Sequence, residues 1–298
     1  MRKHPILFGL LIIVIFGAFS YFYFYRLGLS AHRTSPFSLK NKVGVVTVEG
    51  VISDSEDVLD AIEEFGEDDS IAAVVLRINS PGGGVAAAQE IYAAVKELRK
   101  KKKVVTSMAS VAASGGLLIA CAADKIVANP GTLTGSISAI MHFANLEDLM
   151  KKLGIKASVV KSGQYKDIGS PLREMTKEEK QIIQDLVDDI YEQFIEVIMK
   201  DRNLPREKVL EIADGRVFSG RKAKELGLVD ELGDMASAAK LALKLSGKDG
   251  RYELVYPKKK KSSMLDFFIK SSASLLASSL KQEMGKVQGL DYLYYPLK

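Results

Sequence analysis

Lys103-Val-Val-Thr-Ser-Met108 and, just after it, Val111-Ala-Ala-Ser-Gly-Gly-Leu-Leu-Ile-Ala-Cys121 decide how this chain is read. The first run is β-branched and apolar, the pattern of a buried strand. The second passes from small residues into an apolar run, the pattern of a buried helix beginning near Ser114. At that start a helix has N–H groups with no partner of their own, and they face a developing negative charge favourably. Ser114 is therefore a candidate nucleophile, with Gly115 and Gly116 letting a second backbone come close. The plain alternative is a serine that caps a tightly packed helix.

The same handover occurs once more upstream. Ile71-Ala-Ala-Val-Val-Leu-Arg-Ile78 reads as a fully buried strand, Asn79-Ser-Pro-Gly-Gly-Gly84 as a loop, and Val85 to about Lys100 as a helix with Ile91, Val95 and Leu98 on one face. Val43-Gly-Val-Val-Thr-Val48 is another buried strand, and Val58 to Phe65 suits a short helix. Lys125–Ala128 and Ser136–His142 are further strand candidates. Strand–helix–strand alternation predicts a layered α/β fold with parallel strands, whose ligands sit where strands hand over to helices. Both glycine-rich stretches, 79–84 and 112–116, fall at such places.

Downstream, Thr176 and Glu179 form a capping box ahead of a long helix. Its stripe of Ile182, Ile183, Leu186, Val187, Ile190, Phe194, Ile195 and Ile198 predicts core or subunit contact. Ser219 opens a helix that Gly227 stops, Met235–Leu245 is the last helix, and Tyr252–Val255 is a closing strand.

The ends differ from the middle. Residues 1–41 hold five cations and no acid, and residues 257–298 hold eight lysines against three acids, so the net +5 of the chain leaves an acidic middle. That is no nucleic-acid footprint, and it suits ends that lie near an anionic membrane surface. Ile6 to Tyr25 carries no charge over twenty residues. At ~1.5 Å per residue it spans about 30 Å, one hydrocarbon thickness, with aromatic rings at Tyr21–Tyr25 for the interface. Leu29-Ser30-Ala31 is a poor cleavage site, so an uncleaved anchor is preferred over a signal peptide. Arg2 and Lys3 place the N-terminus in the cytoplasm and the remainder outside it, at the cell (cytoplasmic) membrane. The expected organisation is thus an anchor over 1–25, a linker over 26–41, a catalytic domain over 42–256 and a basic tail over 257–298. Cys121 is the single cysteine, which excludes an intrachain disulfide and a cysteine zinc site.

The glycine stretch lacks the lysine of a P-loop and the spacing of a dinucleotide fingerprint. It suits an oxyanion hole instead, with one N–H from about Gly83 and the other from Gly115. A serine needs a base. His4 and His32 lie in the anchor and linker, which leaves His142. Lysine is the other choice, because an amine taken out of water loses its proton more readily. In Val159-Val-Lys-Ser-Gly-Gln-Tyr-Lys-Asp-Ile-Gly-Ser-Pro171, read as a strand leaving into a loop, Lys161 and Lys166 compete for that role.

Asn79-Ser-Pro-Gly-Gly, Ala113-Ser-Gly-Gly116, Thr134-Gly-Ser-Ile137, Lys161-Ser-Gly-x-x-Lys166-Asp and Asp214-Gly-Arg-Val-Phe-Ser-Gly-Arg221 occur in this order. Together they resemble signal peptide peptidase A in its short, single-repeat form, over roughly residues 40–250. The resemblance implies a Clp protease/crotonase-like fold. It implies Ser114 as nucleophile, Lys166 as general base, and Ser136 hydrogen-bonded to the lysine amine to orient it. It also implies a ring or dome of identical subunits in which serine and lysine meet across neighbours, remnant signal peptides and other hydrophobic peptides as substrates, and no metal or nucleotide cofactor. Related Clp proteases use a histidine downstream of their serine, which keeps His142 in view. A stomatin-associated membrane protease shares the same dyad. A crotonase-like thioester enzyme or an inactive scaffold is the non-proteolytic alternative. The apolar stretch Tyr292–Leu297 is expected to be able to enter the chain's own groove and be trimmed.

Overall fold

The computed structural model describes Phe16, Ala18, Phe19, residues 41–258 and Leu290–Leu293. It falls into two units, Met1–Lys40 and Asn41–Lys298. In the first, Phe16, Ala18 and Phe19 are helical and exposed. The anchor expected over Ile6–Tyr25 and the linker after it otherwise lie outside the described residues. Among the described residues no helix is long and apolar enough to cross a membrane.

The second unit is a mixed α/β fold. β1 (Asn41–Ile52), α1 (Glu56–Glu67), β2 (Ile71–Gly84), α2 (Val85–Lys101), β3 (Lys103–Ala113), α3 (Gly115–Cys121) and β4 (Lys125–Ala128) alternate as expected. With β8 (Glu231–Leu232) and β9 (Tyr252–Val255) they give a parallel run in the order β9-β1-β2-β3-β4-β8. Strands covered on both faces are mostly apolar, which is why β2 and β3 lack a regular alternation. On one face Val43, Ala73, Val75, Val105 and Val127 pack against Ala238, Ala239, Ala242 and Leu243 of α8 (Met235–Leu245). On the other, Val74, Leu76, Ile78 and Met108 join the core under α1, α2, α3 and the long α5 (Lys177–Arg202).

At the C-terminal ends of β2 and β3 the sheet grows an annex. The end of β3 pairs with β5 (Leu133–Gly135), which pairs antiparallel with β7 (Val217–Ser219). The end of β2 pairs antiparallel with β10 (Leu290–Leu293), which pairs in turn with β6 (Ile140–Met141). Residues 79–84, expected as a loop, are therefore strand: their backbone groups find partners in β1 on one side and β10 on the other. Part of the tail expected over 257–298 belongs to this sheet.

Other differences are local. Residues 136–139 interrupt the strand expected over Ser136–His142. Residues 155–161 have no regular structure and are exposed, although the end of a strand was expected at Val159. A short α4 (Glu147–Lys152) precedes them. The capping box of α5 is present, with Glu179 N–H donating to Thr176 Oγ1 at 3.1 Å and Thr176 N–H to Glu179 Oε2 at 2.8 Å. Only the C-terminal half of its stripe is core: Phe194, Ile195 and Ile198 are buried, whereas Ile182 and Leu186 are 39% and 42% exposed.

Candidate active site

β3 ends at Ala113, whose partner in β5 is Gly135. The next residues, Ser114 and Ser136, thus leave neighbouring parallel strands at one level. Both are buried, and both carry positive φ, 54° at Ser114 and 53° at Ser136. Such backbone costs a non-glycine residue about 1–3 kcal/mol and persists only where the surroundings over-determine it. Here they do. Ser114 N–H donates to Gly135 O at 2.8 Å, and Ser136 N–H donates to Arg216 O, just ahead of β7, at 2.8 Å. Thr134 Oγ1 donates to Ala112 O at 2.6 Å and ties the same two strands from the side-chain level.

The result is a hydroxyl that contributes no hydrogen bond to the fold among the described residues. Ser114 Oγ is buried and has no hydrogen-bond partner among the described residues. A buried unpaired polar group costs about 1–3 kcal/mol. The side chain does not cap α3. The plain alternative, a capping serine, is thereby corrected.

α3 begins at Gly115, and its first intrahelical bond is donated by Leu118 to Ser114 O at 3.0 Å. The N–H groups of Gly115, Gly116 and Leu117 precede that bond and have no acceptor within the helix. Gly83 lies near the end of β2, between Ile52 of β1 and Tyr292 of β10. A Cβ on Gly83 would stand 2.2 Å from Ile52 O, so no other residue fits.

Between the end of β2 and β6 there is room for one strand, and the chain's own Leu290–Leu293 fills it, with Asp291, Tyr292 and Leu293 opposite Gly84, Gly83 and Gly82. This strand runs close to α3, the helix that Ser114 precedes.

The candidate bases are placed differently. Lys166 sits on an exposed turn, its N–H donating to Gly163 O at 3.2 Å, and its amine has no partner among the described residues. It makes no hydrogen bond to Ser114 or Ser136 within the chain. Lys161 is committed elsewhere: its amine donates to Gln164 O at 2.6 Å and to the Asp167 carboxylate. His142 is exposed at the end of β6 and does not hydrogen-bond Ser114 Oγ. The structure thus sets Ser114, Gly115 and Ser136 at neighbouring strand ends, keeps Gly83 near the end of β2, and forms no hydrogen bond from Lys166 to either serine among the described residues.

Two contributors escaped the sequence reading. One is the β5–β7 pairing that holds both serines, signalled only by the unexplained Asp214–Arg221 motif. The other is the carboxylate Asp167. Arg173 and Lys161 beside it hold its carboxyl well below the usual carboxylate range.

The sequence model of Peptidase family S49 matches residues 96–248, and that of Clp protease matches residues 41–133. A Synechocystis protein named as a protease is 46% identical over 71% of this chain and 77% of its own length. A second protein named as a protease, from Methanocaldococcus jannaschii, is 42% identical over 61% of this chain and 58% of its own. An Enterococcus faecium protein named for signal peptide peptidase SppA is 37% identical over 64% of this chain and 60% of its own. With a Clp protease-like parallel sheet under a buried, strained serine, the chain belongs to peptidase family S49 and is similar to signal peptide peptidase A.

Proposed function

We propose that this chain is a membrane-anchored serine endopeptidase with a Ser114–Lys166 dyad, which degrades remnant signal peptides and other hydrophobic peptides. One observation carries the reading: a buried hydroxyl without a partner, on a strained backbone, beside a slot one strand wide. An extended peptide entering that slot would pair with Gly82–Gly84 and with β6, as β10 does. Its scissile carbonyl would meet Ser114, and the N–H groups of Gly83 and Gly115 would face the oxyanion.

The base comes from a neighbouring copy in a ring or dome. Lys166 is exposed while Ser114 is buried, and Phe143, Leu149, Leu153, Ile155 and Val160 leave an apolar surface open on the segment before it. Contact with a neighbour would cover that surface and take the Lys166 amine out of water, where a neutral amine accepts the serine proton. Ser136, level with Ser114, would orient that amine. Lys161 is a poorer candidate, since its amine is already held by Gln164 O and the Asp167 carboxylate. The anchor Ile6–Tyr25 holds the domain on the outer side of the cytoplasmic membrane.

Ser114→Ala and Lys166→Ala are each expected to abolish peptide cleavage with the assembly intact. Full activity in Lys166→Ala together with loss in His142→Ala would replace this reading by a histidine-based one. The placement of Leu290–Leu293 supports a second event, trimming of the enzyme's own tail. Intact mass should show a shortened C-terminus in the active enzyme and a full one in Ser114→Ala; identical C-termini would sink that part.

A further inference from the structure

Asp167, the residue after Lys166, is gripped on both oxygens. Arg173 Nε donates to Oδ2 at 2.9 Å and Arg173 Nη2 to Oδ1 at 2.9 Å. The same guanidinium donates to Glu179, from Nη1 to Oε2 at 2.8 Å and from Nη2 to Oε1 at 2.5 Å. Glu179 is 3% exposed and already serves the capping box of α5. α5 in turn buries Phe194, Ile195 and Ile198 in the core that also holds Leu117 and Leu118 of α3, the helix that follows Ser114. One guanidinium therefore joins the turn of Lys166 to an element seated in the core.

The rest of the turn is fastened around the same point. Leu146 N–H donates to Pro171 O at 2.7 Å, and Glu174 N–H donates to Glu147 Oε2 at 3.1 Å. Phe143 lies over Gly169, where φ is +76° and a Cβ would stand 2.4 Å from the ring. By contrast, residues 151–166 are exposed throughout. Of the three cations in residues 161–173, Lys161 and Arg173 are neutralised by Asp167 and Glu179. Lys166 alone among them has no ion-pair partner among the described residues.

We propose that Arg173 is a positioning residue of the peptidase site: by holding Asp167 and Glu179 together it fixes the direction in which the Lys166 amine is presented. The proposal rests on the reading of Lys166 as the base. A planar fork that serves two carboxylates at once cannot be replaced by an ammonium, so lysine at 173 is a poor substitute.

The test uses the full-length assembled enzyme and a fluorogenic hydrophobic peptide, with Lys166→Ala, Arg173→Gln, Arg173→Lys, Asp167→Asn, the Asp167→Asn/Arg173→Gln pair, and Thr176→Ala. Thr176→Ala loosens the start of α5 without touching Asp167. In Arg173→Gln, Arg173→Lys and Asp167→Asn, kcat should fall about 10- to 100-fold, the scale of a misplaced catalytic group, with KM little changed. The pH profile of Ser114 labelling by a fluorophosphonate should shift in these three and stay put in Thr176→Ala. The pair should lose no more than the worse single variant, because both remove one contact. If Arg173→Gln does not assemble, Asp167→Asn, which keeps the Arg173–Glu179 contact, reads the same quantities. Wild-type activity in Lys166→Ala would overturn the base and this proposal with it. An inactive Lys166→Ala beside Arg173 and Asp167 variants with unchanged kcat and pH profile would overturn the positioning role alone. Equal losses in Arg173→Gln and Thr176→Ala, with neither pH profile moved, would reduce Arg173 to a structural residue and overturn it too.

Discussion

The backbone around Ser114 and the turn around Lys166 are built in opposite ways. Ser114 is enclosed, its strained conformation held by main-chain bonds to β5 and, through Ser136, to the segment ahead of β7. Lys166 stands in the open, on a turn held by side-chain charges. Strain of a few kcal/mol can be stored where a core over-determines the chain, and a surface turn has no such surroundings. A surface turn can, however, be offered to another molecule, which an enclosed residue cannot. On the proposed reading, the contrast means that one chain completes the side of Ser114 and leaves the side of Lys166 to be completed by contact.

The largest expected effect tests that division directly. Ser114→Ala and Lys166→Ala should each lose about 10⁴-fold or more in kcat. Mixed in equal amounts and reassembled, the two inactive forms should recover roughly a quarter of wild-type activity, since random mixing leaves that share of sites with both groups intact. No recovery in a mixed assembly would mean that both groups act within one chain.

Next comes the enclosed side. Gly83→Ala forces a methyl against Ile52 O and should cost about 3 kcal/mol in a urea melt, with loss of serine-probe labelling. An unchanged melt would show that β1 and β2 part easily there. On the open side, Ile182→Glu and Leu186→Glu replace exposed apolar groups. Each should change stability by no more than about 0.5 kcal/mol, while sedimentation shows a smaller assembly. Loss of stability without loss of assembly would place that half of α5 in the chain's own core.

The smallest effect is acid response. Arg173 beside Glu179 holds its carboxyl down to about 2. A depressed carboxylate contributes stability above its unfolded value, near 4.5, and loses it as pH falls toward 2. Carboxyl carbon shifts should therefore show Glu179 still charged at pH 3.5. Protonation near 4.5 would mean that Arg173 does not grip it in solution.

Much of this was legible beforehand, for stated reasons. Continuous apolar runs such as Ile71–Ile78 have little choice but a doubly covered parallel strand. Thr176 and Glu179 cap a helix through bonds between near neighbours. The glycines at 82–84 misled, because glycine marks loops by its freedom yet pairs as well as any residue when a partner strand arrives. That partner, Leu290–Leu293, is about two hundred residues away in sequence and leaves no local signal. The apolar Val159 and Val160 read as the end of a strand, but no strand among the described residues pairs with them. At the site, the small-residue run around Ser114 singled it out, while Arg216 and Arg173 act through carbonyl and carboxylate geometry that spacing does not encode.

The width of the opening that β10 occupies has a consequence for what can be read there. Two flanking strands at ~4.8 Å spacing from a middle one leave a passage one backbone thick. A helix, at about 10 Å across with its own N–H and C=O groups already satisfied, cannot lie in it. On the proposed function, any helical segment would first have to be unwound into a thread, and a folded neighbour that resists unwinding would be passed over whatever its sequence. If substrates are read there as proposed, the sorting of prey from bystander would happen by shape, ahead of any side-chain preference.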